Sequence, residues 1–519
     1  MSMRWTLPVL AAISWLGSSA EAQTINGYAV GNFRSCGASN LPGTIAELDK
    51  FFASSHFPAE MKKNFQWNDA RVRASEWSSA HDVFASTETS TGFDGVDSGL
   101  ISYIASHGVT SAAKYTALSG GEGGVCYIRT PDMSVGDQQA RYLILSTCQG
   151  LKIGTGDDPL RAGENPQVTW ANANQGLNCI FGYSNNMVDA DQYGSYLLEA
   201  LATSDDTLAE AFFRAAKRVS YANIPAALCF GADDTSARQN LETARRFTSD
   251  SYGKGGSAWA FDHSRRLDDA FVLPDSAKSK VIPREIRTAP RRMSIVKLAA
   301  RLVGKSARQT ELKGGLKIFR DRSTTATYDP KNGFLTWRKG DVALNHILKL
   351  SDTAAIRAAK EFLVTRSIVA DSVGDFQATY VTERGAQVNG KAEVVAKTVI
   401  FHQRVRGLLV LATAGSIEVT VGEGGQVIAM TASLIDATLP RVNEWLDVST
   451  LSLTSHKDVA LRRVLQRVPG ANVSVIESRV GYDVGDYAAM HQRSRVVVEV
   501  LVEADQGGFS RRFVEKVAL

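Results

Sequence analysis

Beyond its first residues the chain lacks any run of about 20 apolar residues, the length a membrane-spanning helix needs, so no stable membrane span is expected. It also lacks a concentrated basic face. Lys and Arg total 58 against 54 Asp and Glu, a net charge of +4 over 519 residues, which gives no support to nucleic-acid binding. There is no P-loop and no paired C-x-x-C. His56, His81, His263, His346, His402, His456 and His491 show no metal-ligand spacing, and no segment has the spacing of an EF-hand. Neither a metal site nor a catalytic cofactor is implied. Cysteine is scarce: Cys36, Cys126, Cys148, Cys179 and Cys229, all in the first half. In an oxidising compartment an odd count leaves at least one thiol unpaired. One or two bridges among Cys36, Cys126, Cys179 and Cys229 would leave Cys148 free. The pairing stays open, as does a set of buried reduced thiols.

What is present begins with an export signal over residues 1–22. Arg4 gives a weak positive start, Leu7 to Leu16 is apolar but short, and Ala20-Glu21-Ala22 is a small-x-small cleavage site. A secreted or periplasmic protein is expected. The apolar and charged contents, 44% and 22%, are those of a globular chain, and 519 residues exceed one ordinary core.

Residues 24–272 alternate short apolar runs with helical spacing. Tyr28–Phe33, Leu100–Ala105, Tyr142–Ser146 and Cys179–Tyr183 read as strands, and Ile45–Phe52, Tyr193–Leu201 and Leu208–Val219 as helices. Near-continuously apolar strands between helices predict an α/β fold with a mostly parallel sheet covered on both faces. Residues 273–292, with Pro274, Pro283, Pro290 and six Lys or Arg, read as an exposed basic linker. Residues 293–445 carry an amphipathic helix over Asp352–Arg366, then strand-like runs in an antiparallel meander: an α+β module. Residues 446–519 repeat the theme, with a helix near Lys457–Gln466 and strands at Val473–Ser478, Val496–Val502 and Phe513–Val517.

Two segments carry chemistry. Leu100 to Gly108 is an apolar strand ending in Ser106-His107-Gly108. Tyr142 to Gly150 is another, ending in Cys148-Gln149-Gly150. In an open parallel sheet, ligands bind beyond the carboxyl ends of the strands. If both strands share one sheet, His107 and Cys148 emerge on the same edge. The thiolate is the nucleophile, and a neighbouring imidazole takes the proton and later returns it to a leaving amine. The Gly108 and Cys148 amides are the natural oxyanion donors. Alone, a cysteine at a strand end is usually a small core residue, and a His-Gly is more often a turn. Both together at strand ends favour catalysis. Asp94 or Asp97 could orient His107, against the plainer role of turn or cap. Asp157, Asp158, Asp189 and Asp191 lie in later loops, able to select a basic side chain or simply to face water.

The two blocks resemble those of the caspase-like cysteine peptidases, the group that includes caspases, legumains, gingipains and clostripain. Cys148-Gln149-Gly150 matches the end of the caspase signature Q-A-C-[RQG]-G, while Ser146 and Thr147 depart from it, so aspartate specificity is not transferred. Trp170 to Ser184 and Thr207 to Phe213 resemble the segments that follow the nucleophile in gingipain-like members, and Asp94-Gly95-Val96-Asp97 resembles an uncharacterised bacterial branch. The resemblance covers about residues 24–272 and implies a caspase-like α/β/α sandwich that cleaves peptide bonds of a protein or peptide substrate. Val399 to Val410 and Ser416 to Met430 resemble PepSY and cystatin-like propeptide modules, which implies an inhibitory, chaperoning or substrate-presenting role, with contact between the C-terminal region and the peptidase domain. Two other readings stand beside this one: an inactive caspase-like scaffold that binds protein, and an envelope or adhesion protein working through its β-rich half.

Overall fold

The structure, a computed structural model, describes residues 23–77, 95–121, 125–267 and 281–290, and residues 302–519 apart from breaks at 305–306, 312–314, 330–332, 340–342, 344, 369–375, 406, 412–414, 434, 439–444, 448–452 and 485–492. The export signal expected over residues 1–22 lies outside the described residues. The chain is α/β: a large mixed sheet with seven helices among the described residues.

Seven strands build the first unit: β1 Gln23–Ala29, β2 Met61–Asn68, β3 Ile101–Ala105, β4 Tyr142–Ser146, β5 Cys179–Tyr183, β6 Pro225–Gly231 and β7 Gly256–Arg266. Their order is β2-β1-β3-β4-β5-β6-β7; the first five run parallel, β6 pairs antiparallel with β5, and β7 antiparallel with β6. Every residue of β3, β4 and β5 is buried, as strands covered on both faces require. Ile101, Tyr103, Tyr142 and Ile144 face α1 (Gly43–Phe52), α3 (Tyr193–Thr203) and α4 (Leu208–Val219) through Leu48, Phe51, Leu197 and Phe212. Ile104, Leu143 and Leu145 face the other way, toward the short helix α2 (Pro166–Trp170) and a small antiparallel sheet over residues 108–129. The start of α4 is fixed by a capping box, Thr207 accepting from the Glu210 amide and Glu210 from the Thr207 amide. Helix α5 (Asp234–Thr243) packs beside β6.

The sheet does not stop at β7. Ala260–Arg266 pair antiparallel with β8 (Phe376–Val388), which continues into β9 (Lys391–Val405), β10 (Ser416–Val421) and β11 (Val427–Ser433). Taken whole, the sheet is therefore mostly antiparallel; the expected parallel character is confined to β2-β1-β3-β4-β5. Hairpin connections explain this, since short turns join antiparallel neighbours only. Helix α6 (Asp352–Thr365) lies on β9, β10 and β11 through Ala355, Ala359 and Leu363. A second helix-plus-meander follows: α7 (Leu453–Arg467) on β12 (Asn472–Asp483), β13 (Arg493–Gln506) and β14 (Phe509–Ala518).

The expected linker is corrected at 281–290. Val281–Pro283 pairs with Trp445–Asp447, and Glu285–Pro290 with Ile435–Thr438 and Arg493–Arg495. Its prolines stand at strand ends, where a missing N–H is tolerated, and Ile286 is fully buried.

Candidate active site

Strands β3 and β4 are adjacent and parallel, with Ile101 opposite Tyr142 and Ala105 opposite Ser146. The Ser106 amide still donates to the Ser146 carbonyl at 3.3 Å. Two residues past each strand end, at the same register position, come His107 and Cys148. Both are fully buried. Gly108 follows with no room for a side chain: a Cβ there would lie 2.6 Å from the Cys148 carbonyl oxygen. The two backbones therefore meet closely at the strand ends, which only glycine permits.

The cysteine pairing left open by the sequence is Cys36–Cys126 and Cys179–Cys229, with Cys148 the free thiol. Burial pushes the Cys148 thiol up; the charge of Arg511 and the Met187 backbone N–H act against that. His107 Nε2 lies 2.7 Å from the Ser39 carbonyl and 3.3 Å from the Ser39 hydroxyl. A carbonyl only accepts, so Nε2 carries the hydrogen and Nδ1 keeps its lone pair. Nδ1 is buried with no hydrogen-bond partner among the described residues. Burial holds the imidazole neutral, its pKa lowered to about 3, with Ser39 opposing the shift and Arg511 adding to it. The ring packs against Phe33 at 4.7 Å and Phe509 at 5.6 Å between centroids.

Asp97, one of the expected orienting carboxylates, has other partners. Asp97 accepts from the Gly136 amide at 2.7 Å and the Asp137 amide at 3.2 Å, so it caps a loop. Burial, first, raises its pKa to about 8. Asp94 lies outside the described residues. The four acids expected to form a selective pocket divide. Asp191 pairs with Lys50 at 2.7 Å, and Asp158 accepts from the Leu160 amide at 3.0 Å in its own loop, so both are corrected to local roles. Asp157 meets Arg512 at 2.5 Å, and Asp189 meets Arg511 at 3.5 Å.

These two arginines come from β14, far along the chain. Gly507 and Gly508, at φ +62° and +81°, make the two-residue turn between Gln506 and Phe509. The turn carries Phe509-Ser510-Arg511-Arg512 over the strand ends. The Arg512 amide donates to the Met187 carbonyl at 3.1 Å, and the Asp189 amide to the Arg512 carbonyl at 2.6 Å, so the strand adds itself to the 187–189 loop. Cys148 Sγ donates to the Ser510 carbonyl at 3.0 Å, and Arg511 Nη1 lies 3.8 Å from that sulfur.

Sequence reasoning missed Ser39, Glu47 and the β14 arginines. Glu47 is fully buried on α1 and accepts from the Tyr103 hydroxyl and from the Ser146 hydroxyl at 2.9 Å. Its signal was its position: Thr44, Glu47, Leu48 and Phe51 form the buried face of α1, and a carboxylate on that face calls for partners. The signal for the β14 tip was Gly507-Gly508 between alternating strands. Ser39 makes its shorter contact through its backbone carbonyl, which carries no side-chain signal. Among the described residues no three His, Cys, Asp or Glu side chains gather as a metal site, and no helix is long and apolar enough to cross a membrane.

Residues 24–261 match a family described as a domain of unknown function, DUF6345. No curated protein matches the chain. A solved structure of an uncharacterised protein from Eubacterium rectale is similar at 10% identity and a TM-score of 0.30, over 46% of this chain and 83% of that one, a likeness too slight to bear on the fold.

Proposed function

We propose that the protein is an exported cysteine peptidase of the caspase-like type, with Cys148 as nucleophile and His107 as acid and base. One observation carries the reading: the free thiol and an imidazole share a register position just beyond the carboxyl ends of two adjacent parallel strands. His107 Nδ1 takes the Cys148 proton, and the sulfur adds to a peptide carbonyl carbon. The resulting oxyanion is met by the Gly108 and Cys148 amides. The imidazole then protonates the departing amine, leaving a thioester that water hydrolyses to the carboxyl product and the free thiol. The parallel order β2-β1-β3-β4-β5, with α1, α3 and α4 on one face, supports a caspase-like unit, although the opposite face is covered largely by β-structure. Two disulfides support an oxidising compartment. The helix-plus-meander units fit PepSY-like or cystatin-like modules that regulate the first unit.

Full burial of Cys148 and His107 favours the second reading, an inactive scaffold, as long as β14 covers them. The two part on one experiment. A mixed peptide library is incubated with the full chain carrying Arg511→Ala, and with the same chain also carrying Cys148→Ala or His107→Ala. Cleavage abolished by both second substitutions supports the peptidase. Cleavage that survives Cys148→Ala, or none in any chain, sinks it.

A further inference from the structure

We infer that the outer edge of β14 is a peptide-binding site, which takes an extended segment of another protein as an added strand in the cleft between the first unit and the second meander. The inference goes beyond the peptidase reading and stands without it.

The ladder fixes which way the backbone of β14 points. Alternate residues of an antiparallel strand direct their N–H and C=O groups toward opposite edges. Arg512 turns both outward, its amide donating to the Met187 carbonyl and its carbonyl accepting from the Asp189 amide. Leu519, just past the strand end, turns inward, its amide donating to the Val496 carbonyl at 3.1 Å. Both contacts place Val514 and Lys516 among the outward residues, and no register shift interrupts the β13–β14 ladder. The Lys516 carbonyl is taken by Arg463 Nη1 at 3.1 Å. The Val514 N–H and C=O and the Lys516 N–H have no hydrogen-bond partner among the described residues.

This edge starts paired and ends open. Residues 187–189 run parallel to it at Arg512. The chain then turns away into α3, which starts at Tyr193. Where it leaves, a cleft of about 540 Å³ opens, with Val188, Asp189 and Tyr196 on one wall and Leu411, Val514 and Lys516 on the other. That volume suits a short extended segment and is too small for a folded partner. The template is fixed, since Phe509, Phe513 and Val517 are buried in the core and anchor β14. A ligand strand continues the line that residues 187–189 begin.

Side-chain charge does not define this ligand. The cations that line the cleft already have acids: Lys217 pairs with Asp262, Arg218 with Glu199, Arg467 with Glu515, Arg479 with Glu499 and Lys516 with Asp483. An anionic ligand would have to displace those partners. What is left over is main chain, and a row of main-chain groups is matched by the backbone of an extended peptide. Selection by sequence is therefore loose and favours β-forming residues.

The test uses the full chain carrying Cys148→Ala, so that no probe is cut. The probe is fluorescein-labelled Thr-Val-Thr-Val-Thr, compared with the same peptide N-methylated at every residue, which keeps the side chains and loses the donors. Binding is read by fluorescence anisotropy. We expect saturable binding, weakened about tenfold by N-methylation and about tenfold by Val514→Pro, which deletes an outward N–H without breaking a ladder bond. Val514→Ala keeps that N–H and should bind within about twofold of the parent chain. The plain peptide should also slow amide exchange in residues 509–519, read by mass spectrometry, and the N-methylated one should not. That measurement decides the matter if Val514→Pro does not fold. Equal affinity for the two peptides, equal affinity of Val514→Pro and Val514→Ala, or no saturable binding overturns the inference. Self-association in sedimentation that Val514→Pro abolishes also overturns it, because the edge then belongs to a second copy. Binding at this edge with no library cleavage by the Arg511→Ala chain removes the peptidase reading and keeps the edge; cleavage without binding does the reverse.

Discussion

The first unit meets the rest of the chain across two seams of opposite character. At one, β7 and β8 share a ladder, and Arg384 bonds Asp262 through two nitrogens at 2.8 and 3.0 Å. Lys217 adds a contact to Asp262 at 2.5 Å, and Glu210 takes the third Arg384 nitrogen at 3.3 Å. The arginines beside it lower the Glu210 carboxyl, and Arg384 with Lys217 lowers Asp262, against burial that pushes both up. At the other seam Arg511 is buried as deeply, with Asp189 at 3.5 Å, Cys148 Sγ at 3.8 Å and two nitrogens without hydrogen-bond partners among the described residues. Burying a charge is costly unless its partners are complete. The first seam pairs its buried charges; the second leaves one incompletely paired.

Removing Asp262 should produce the largest effect. Asp262→Ala strands Arg384 and Lys217 together and should destabilise the chain by about 3–5 kcal/mol in urea unfolding. Arg511→Ala removes an equally buried charge, yet should cost under about 1 kcal/mol, because an incompletely paired ion gives little net stability. Similar losses at the two positions in parallel unfolding curves would erase the contrast between the seams.

Gly507→Val comes next. It forces a β-branched residue into a left-handed backbone and into the Gly37 carbonyl while leaving Arg511 intact. A cost of about 1–2 kcal/mol is expected at the tip, with faster iodoacetamide labelling of Cys148. Unchanged labelling by mass spectrometry would show that the tip does not guard the thiol.

The last effect concerns pH. Burial outweighs the hydrogen bonds from Tyr103 and Ser146 and raises Glu47 from 4.5 to about 8. The folded chain then holds this proton more tightly than the unfolded one. The group's stabilisation is complete below pH 4.5 and lost as pH rises through about 8. Glu47→Gln should flatten that decline in unfolding midpoints measured across the window, leaving a parallel slope from Asp97. An identical slope in both chains would place the titration elsewhere.

Local physics made much of the first unit legible. Tyr142–Ser146, Cys179–Tyr183 and Leu208–Val219 lie where their apolar runs and spacing predict, because strands buried on both faces and an amphipathic helix write their periods directly into the chain. The helix read at Asp352–Arg366 and the one observed at Asp352–Thr365 differ by a residue. Long-range pairing was not legible. Residues 285–290 look like a linker because their partners lie near 435 and 493. Strand β1 runs over Gln23–Ala29, earlier than Tyr28–Phe33, since the polar Asn26 at its centre is buried on Ser102 and the 95–96 carbonyls. In the site, His107 and Cys148 were readable as strand ends. Their partners were not: a backbone carbonyl orients the imidazole, and the arginine belongs to a remote hairpin.

The contact between Cys148 and Ser510 spans 362 positions. Such a contact forms late, since closing so long a loop waits on everything between, and a chain made from its amino end folds its early unit first. Thiol and imidazole are therefore assembled before the strand that hides them exists. Each new molecule passes through an interval in which the Cys148 sulfur stands uncovered.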